Sequence, residues 1–346
     1  YQRDLLNMVK QLETLEDELV KSKQRLAALV NLHPGTPFQL AVSQHEDYAV
    51  PSMPYKLSDL EVLAMVRRPE LREESYLARN AVLETRVSIL KLFPNLSKAQ
   101  AVEKLWEAIL AASRVDDDPV AAWKAHNEDL ARRCAYLNDL GITELEYHSS
   151  NGTNFKVGMI EDAEFKGGGE NSLLGRFFNP NIPTEEVFIS PKRGVAEGIV
   201  YSTKPLSYQG QLIENFSIRF EGGKAVEVHA EKNEALLQKL ISMDEGASYL
   251  GECALVPYNS PIQNSGLLFY NTLFDENAAC HIAFGEAYPE CIEGGESMTR
   301  EEVQAHGLNY SMTHVDFMVG TADLSIVGTT HDGREVPVFV NGNFAI

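Results

Sequence analysis

The sequence predicts an α+β protein: a main domain of largely antiparallel or mixed β-sheet with interspersed helices, preceded by a long-helix, coiled-coil-like N-terminal segment. Three observations carry that reading. A heptad seam occupies residues 1–30, apolar residues alternate in short segments after residue 140, and glycine-rich turns join several of those segments. With 346 residues and 44% hydrophobic composition the chain can bury a sizeable core, and its length suggests roughly two domains.

The N-terminal seam runs from Leu5 to Leu29 at alternating spacings of three and four, with Ser22 its one polar position. Asn31 and the Pro34-Gly35 pair end it, and Pro37, Pro51 and Pro54 interrupt residues 36–56. Ser58 and Glu61 form a capping box for a short helix. Pro69 then suits a first helical turn, a second seam follows at Tyr76, Leu83, Val87 and Leu90, and Phe93-Pro94-Asn95 stops it. Helices are predicted over 98–113 and 118–139, the second around Trp123 and Leu130. Alternating strands follow at 143–148, 154–159, 198–203 and 215–220. Glu221-Gly222-Gly223-Lys224 closes one hairpin and Asp332-Gly333 another. Further helices are predicted over 232–243, 274–284 and 299–306. Boundaries therefore fall at 1–96, 97–140 and 141–346.

Charge narrows the function. The formal net charge is −20, and residues 1–96 hold 12 basic against 13 acidic side chains, so nearly all the acidity lies beyond residue 96. Such a field disfavours nucleic acid and anionic membranes. No window reaches the ~20 apolar residues of a membrane span. Tyr1 opens inside a helical pattern with neither Met nor a signal sequence, which reads as an incomplete N-terminus. Cys134, Cys253, Cys280 and Cys291 have no C-x-x-C spacing, which predicts reduced thiols and a cytoplasmic location.

The segment "SMTHVDFMVG" places His314 and Asp316 one residue apart in a β-like run, so both point to one face. A metal would satisfy them there, and so would a plain hydrogen-bonded pair. In "LFDENAACHIAFGEAYP", Glu276 and His281 fall on one side of the predicted helix, with Tyr288 beyond its end. Glu186 and Glu252 stand in apolar settings where a carboxylate needs a partner. Carboxylates with imidazoles suit Zn, Co or Mn (or Mg) better than Ca or an Fe–S centre. Such a set can hold two cations about 3.5–4 Å apart across a shared carboxylate. The glycine run in "FKGGGE" has no Gly-Lys-Ser/Thr and reads as a turn. His33, His45, His126, His148, His229, His306 and His331 read as surface or turn residues, and Cys253 and Cys280 as structural.

Two resemblances follow. Arg68-Pro69-Glu70-Leu71 and the Pro34-Gly35 turn, within about residues 1–96, resemble the TolC-like outer-membrane efflux factors. The strands of that family's barrel do not follow. From about residue 97 to 346, "PTEEVFISP", "DEGASYLGECALVPYNSPI", "LLFYNTLFDENAACHIAFGEAYP" and "NYSMTHVDFMVG" are similar to the thermophilic metallo-aminopeptidase family (aminopeptidase T and its relatives). That resemblance implies a two-metal aminopeptidase acting on peptides with a free N-terminus, as a homodimer. It implies metal ligands at Glu186, Glu252, His281, His314 and Asp316, with Glu276 a further acid at the metal. Tyr288 matches the active-site tyrosine, and Glu252 or Glu276 would carry the proton. Residues 97–140 then read as the last helices of the family's N-terminal α/β domain. The alternatives are a fusion chain that keeps the metal site without turnover, and a helical efflux-assembly module.

Overall fold

The computed structural model describes residues 92–115, 117–172 and 174–346. The heptad seams, the Ser58 capping box and the efflux-like motifs lie outside the described residues, as do His33 and His45.

Helix α1 (Lys98–Ala112) starts at a capping box in which the Ser97 hydroxyl accepts from the Gln100 amide and the Gln100 side chain accepts from the Ser97 amide. Helix α2 (Pro119–Leu140) opens on Asp118, whose carboxylate accepts from the Ala121 amide, and ends at Gly141 in the left-handed conformation. Strands β1 (Ile142–His148) and β2 (Asn154–Met159) follow. The short strands β3 (Lys166–Gly167), β4 (Glu170–Asn171), β5 (Phe177–Phe178) and β6 (Val187–Ile189) come next. Strands β7 (Pro191–Tyr201), β8 (Leu206–Tyr208), β9 (Gln211–Glu221) and β10 (Lys224–Lys232) lead to helix α3 (Glu234–Ile241). Strand β11 (Leu250–Leu255), the short helices α4 (Pro261–Ser265) and α5 (Thr272–Glu276), and β12 (His281–Gly285) precede helix α6 (Arg300–Ala305). Strands β13 (His314–Met318), β14 (Ser325–Thr330), β15 (Glu335–Val340) and β16 (Asn343–Phe344) complete the chain.

The predicted helix over 274–284 is corrected. Helix α5 stops at Glu276, and His281 lies on β12. Every residue of β12 is buried. A strand covered on both faces shows a continuous apolar run instead of alternation, and periodicity alone cannot separate it from a buried helix.

Among the described residues the strands form a nine-stranded sheet in the order β10-β9-β7-β2-β1-β14-β15-β16, with β8 on β9. A five-stranded sheet runs β13-β12-β11-β6-β3, and β4 pairs with β5. All their ladders are antiparallel, and the Glu221–Lys224 and Asp332-Gly333 turns close hairpins as predicted. A run of aromatic contacts stitches the two larger sheets together. Tyr147 meets Phe155 at 5.8 Å, Phe155 meets Phe220 at 5.3 Å, and Phe220 crosses to Phe284 at 6.0 Å. Phe284 meets Phe317 at 5.1 Å, and Phe317 returns to Phe216 at 5.5 Å. Cys253 and Cys280 are buried free thiols, as expected for structural cysteines, and burial pushes Cys280 up to about 12.

This aromatic seam fixes the smaller sheet from behind. Truncating Phe284 to Ala is expected to cost about 3–5 kcal/mol of unfolding free energy, because the cavity opens in a close-packed interior. Trp106→Ala, at an exposed position of α1, should stay within about 0.5 kcal/mol. Urea unfolding of both variants measures the contrast.

Candidate metal centre

The five-stranded sheet presents two chemically opposite faces. On β12, Ile282 and Phe284 enter the apolar core, so His281 and Ala283 point the other way. On β13 the same alternation sends Val315 and Phe317 to the core and His314 and Asp316 to the far side. The registers place Ala283 opposite Glu252 on β11 and opposite Asp316 on β13, while Gly285 faces His314 and Ala254 faces His281. Small residues thus sit between large polar ones, leaving room for their heads to converge. Glu186, just before β6, enters from the next strand.

The convergence is close. His281 Nε2 lies 3.0 Å from Glu186 Oε2, and His314 Nε2 lies 3.2 Å from Glu252 Oε2 and 3.3 Å from Asp316 Oδ1. Two sets of donor atoms gather within 4.8 Å: Glu186, Glu252 and His281 in one, Glu252, His314 and Asp316 in the other. Glu252 belongs to both. Each imidazole is turned by its other nitrogen, since His281 Nδ1 lies 3.2 Å from the Ala279 carbonyl and His314 Nδ1 lies 2.8 Å from that of Glu286. Those bonds leave Nε2 aimed into the site. His281 Nε2 and Asp316 Oδ1 are buried without an aligned hydrogen-bond partner. Buried polar atoms are almost always satisfied, so two orphans within an oxygen–nitrogen donor set fit a divalent cation.

A profile of the family described as thermophilic metalloprotease (M29) matches residues 85–344. The chain belongs to that family. The match begins ahead of residue 97. Aminopeptidase T of Thermus aquaticus is 49% identical to this M29 chain over 256 residues, which are 74% of this chain and 62% of that protein. Aminopeptidase 2 of Geobacillus stearothermophilus is 48% identical over the same shares. The solved structure of wild-type AmpT from Thermus thermophilus superposes with a TM-score of 0.68 at 44% identity, over 75% of this chain and 62% of that one. The M29 chain thus spans 62% of the length of the curated relatives it matches.

Around the two donor sets, Tyr288 Oη lies 3.2 Å from His314 Nε2. Glu276 stands outside both sets yet within their field. Burial, then Asp316, raises its carboxyl to about 9. Other residues at the site left weaker traces in the sequence. A cavity of about 350 Å³ beside Glu186, Glu252 and Tyr288 is lined by the Gly167–Gly169 run, Phe188 and Glu290. The glycine run, read as a turn, is therefore a wall of the site, and Glu290 was hidden because one acid in a loop carries no pattern. His126 is corrected. It is buried on α2, and its Nε2–H donates to the Thr184 carbonyl at 2.7 Å.

Crowding sets the protonation of the metal-free M29 chain. Burial raises Glu252 to about 7, reinforced by Asp316 and Glu186. Burial acts to lower both imidazoles. Glu186 nevertheless raises His281 to about 10, and Asp316 and Glu252 raise His314 to about 11. Asp316, although buried, is held below its ordinary value by His314.

Four groups with folded values above their unfolded ones make the folded chain hold protons that the unfolded chain has released. Their contribution is full below the unfolded values and is lost as pH rises through 7 to 11. Asp316 acts oppositely, and its share is lost only in acid. In chelator, the melting temperature is expected to fall steadily from about pH 7 to about pH 10, and saturating Zn should flatten that fall. Calorimetry with and without the metal reads both slopes. A metal-free melting temperature that held or rose with pH would contradict the protonation pattern.

Proposed function

We propose that the chain is a metal-dependent aminopeptidase whose site would hold two divalent cations, with Glu252 a donor in both sets. The observation that carries the reading is the pair of donor sets sharing that one carboxylate, on a chain of the M29 family. Glu186 and His281 would hold one cation and His314 and Asp316 the other. Bound there, the cations would polarise a scissile carbonyl and supply a water acidic enough to ionise near neutral pH.

The chain's own residues do the remaining work. Tyr288 brings a hydroxyl to the mouth of the site, where burial and the surrounding carboxylates keep it protonated. It can therefore donate to the oxygen that gains charge as the peptide bond is attacked. Glu276 lies outside both donor sets, so its carboxyl would be free to carry the proton while Glu252 serves as a ligand. The excess of carboxylates attracts the ammonium of a peptide's free N-terminus. Phe188, whose ring centroid lies 5.2 Å from that of Tyr288, gives the cavity an apolar wall for a substrate side chain.

A cytoplasmic homodimer completes the proposal, with Zn, Co or Mn/Mg as the cations. Residues 1–84, ahead of the family match, are proposed to contribute no ligand. Among the described residues no helix is long and apolar enough to cross a membrane.

His314→Ala and Asp316→Ala are each expected to lose bound metal and hydrolysis of a leucine anilide together. Tyr288→Phe should keep its metal and slow turnover by about 10²–10³. Metal analysis beside steady-state kinetics separates the two outcomes, and loss of metal from Tyr288→Phe would defeat the division of roles. Full metal with no turnover in the unaltered chain would favour the fusion reading instead. A chain shortened to start at Ser97 is expected to bind the same number of ions as the full chain, counted by elemental analysis.

A further inference from the structure

We infer that Arg114, Glu185 and His126 form a clamp that positions the ligand Glu186, so that helices α1 and α2 set the geometry of the metal centre. The inference rests on the two-cation reading of the site.

Three anchors meet on the two residues before Glu186. The Arg114 guanidinium grips the Glu185 carboxylate with both nitrogens, Nη2 at 2.8 Å from Oε2 and Nη1 on Oε1. His126 Nε2–H donates to the Thr184 carbonyl, and the Glu185 amide donates to Asn277 Oδ1 at 2.7 Å. Asn277 is fixed in turn, because its Nδ2 donates to the Leu273 carbonyl at 2.8 Å on the helix that carries Glu276. Glu185 is only 3% exposed, so the fork is the partner its charge requires.

The anchors are themselves braced. The turn after α1 puts Arg114 at φ 54, a conformation uncommon outside glycine. Trp123 on α2 donates its ring N–H to the Ser113 carbonyl at 2.8 Å and holds that turn, and the guanidinium sits 5.8 Å over the same indole. The helix pair thereby holds the carbonyl of the Thr184–Glu185 peptide and the Glu185 carboxylate, Asn277 holds the N–H of that same peptide, and the next side chain along is a metal ligand. An acid at 185 left without its fork would also set a buried like charge beside Glu186.

Arg114→Met, Arg114→Lys and the double variant Arg114→Leu/Glu185→Met test the clamp; the double variant leaves no unpaired charge to unfold the chain. Calorimetric and visible-absorption titration with Co(II) should find two ions on the unaltered chain. In Arg114→Met and the double variant, one ion should bind as before and the other about 10–100-fold more weakly. Arg114→Lys should recover only part of the loss, since an ammonium cannot make the fork. Hydrogen exchange of the 184–189 amides in chelator should quicken in the same variants. A double variant that binds both ions like the unaltered chain, with unchanged exchange, overturns the clamp. Fewer than two ions on the unaltered chain refutes the two-cation reading instead, and the metal-free exchange rates still decide the clamp.

Discussion

The carboxylate of Glu252 stands between two histidine–carboxylate groups, and repulsion among Glu252, Asp316, Glu186 and Glu276 is the interaction the rest of the structure must contain. In a low-dielectric setting several buried like charges cannot all stay ionised without counter-ions. The metal-free chain meets this with protons, which is why burial raises Glu252 and Glu276 while the imidazoles stay charged. Cations would do it with fewer bound protons. The donor set is assembled against its own electrostatics, and a rigid frame is the condition for that.

The frame is the aromatic seam. Because Ile282, Phe284, Val315 and Phe317 are locked into the core by the nine-stranded sheet, the alternate residues of the same two strands have no freedom to turn away from one another. Ala283 and Gly285 then keep the face open where larger side chains would fill it. The apolar packing contributes the stability, and the polar face draws on it.

Much of this was legible in the residues. A period of two put His314 and Asp316 on one side of a strand, and carboxylates in apolar surroundings marked Glu186 and Glu252. The glycine turns announced the hairpins. For His281 the sequence marks the residue but not its element, since Ala278 and Ala279 extend the helical composition of α5 into a strand whose two faces are both buried. His126 departs from its expected surface position for a different reason. Its partner lies 58 residues away, as Arg114 lies 71 from Glu185, and no local pattern records a contact that only the folded chain creates.

The alternation along β12 has a further consequence for how the chain can change. Core and site share a single five-residue strand, so neighbouring positions answer to opposite solvents. A substitution changes the chemistry of one face and keeps the alternation. Inserting or deleting one residue would trade the faces, turning Phe284 towards the carboxylates and His281 into the aromatic core. The number of residues in β12 is therefore as strict a requirement as their identity, because a shift of one exchanges ligand and core.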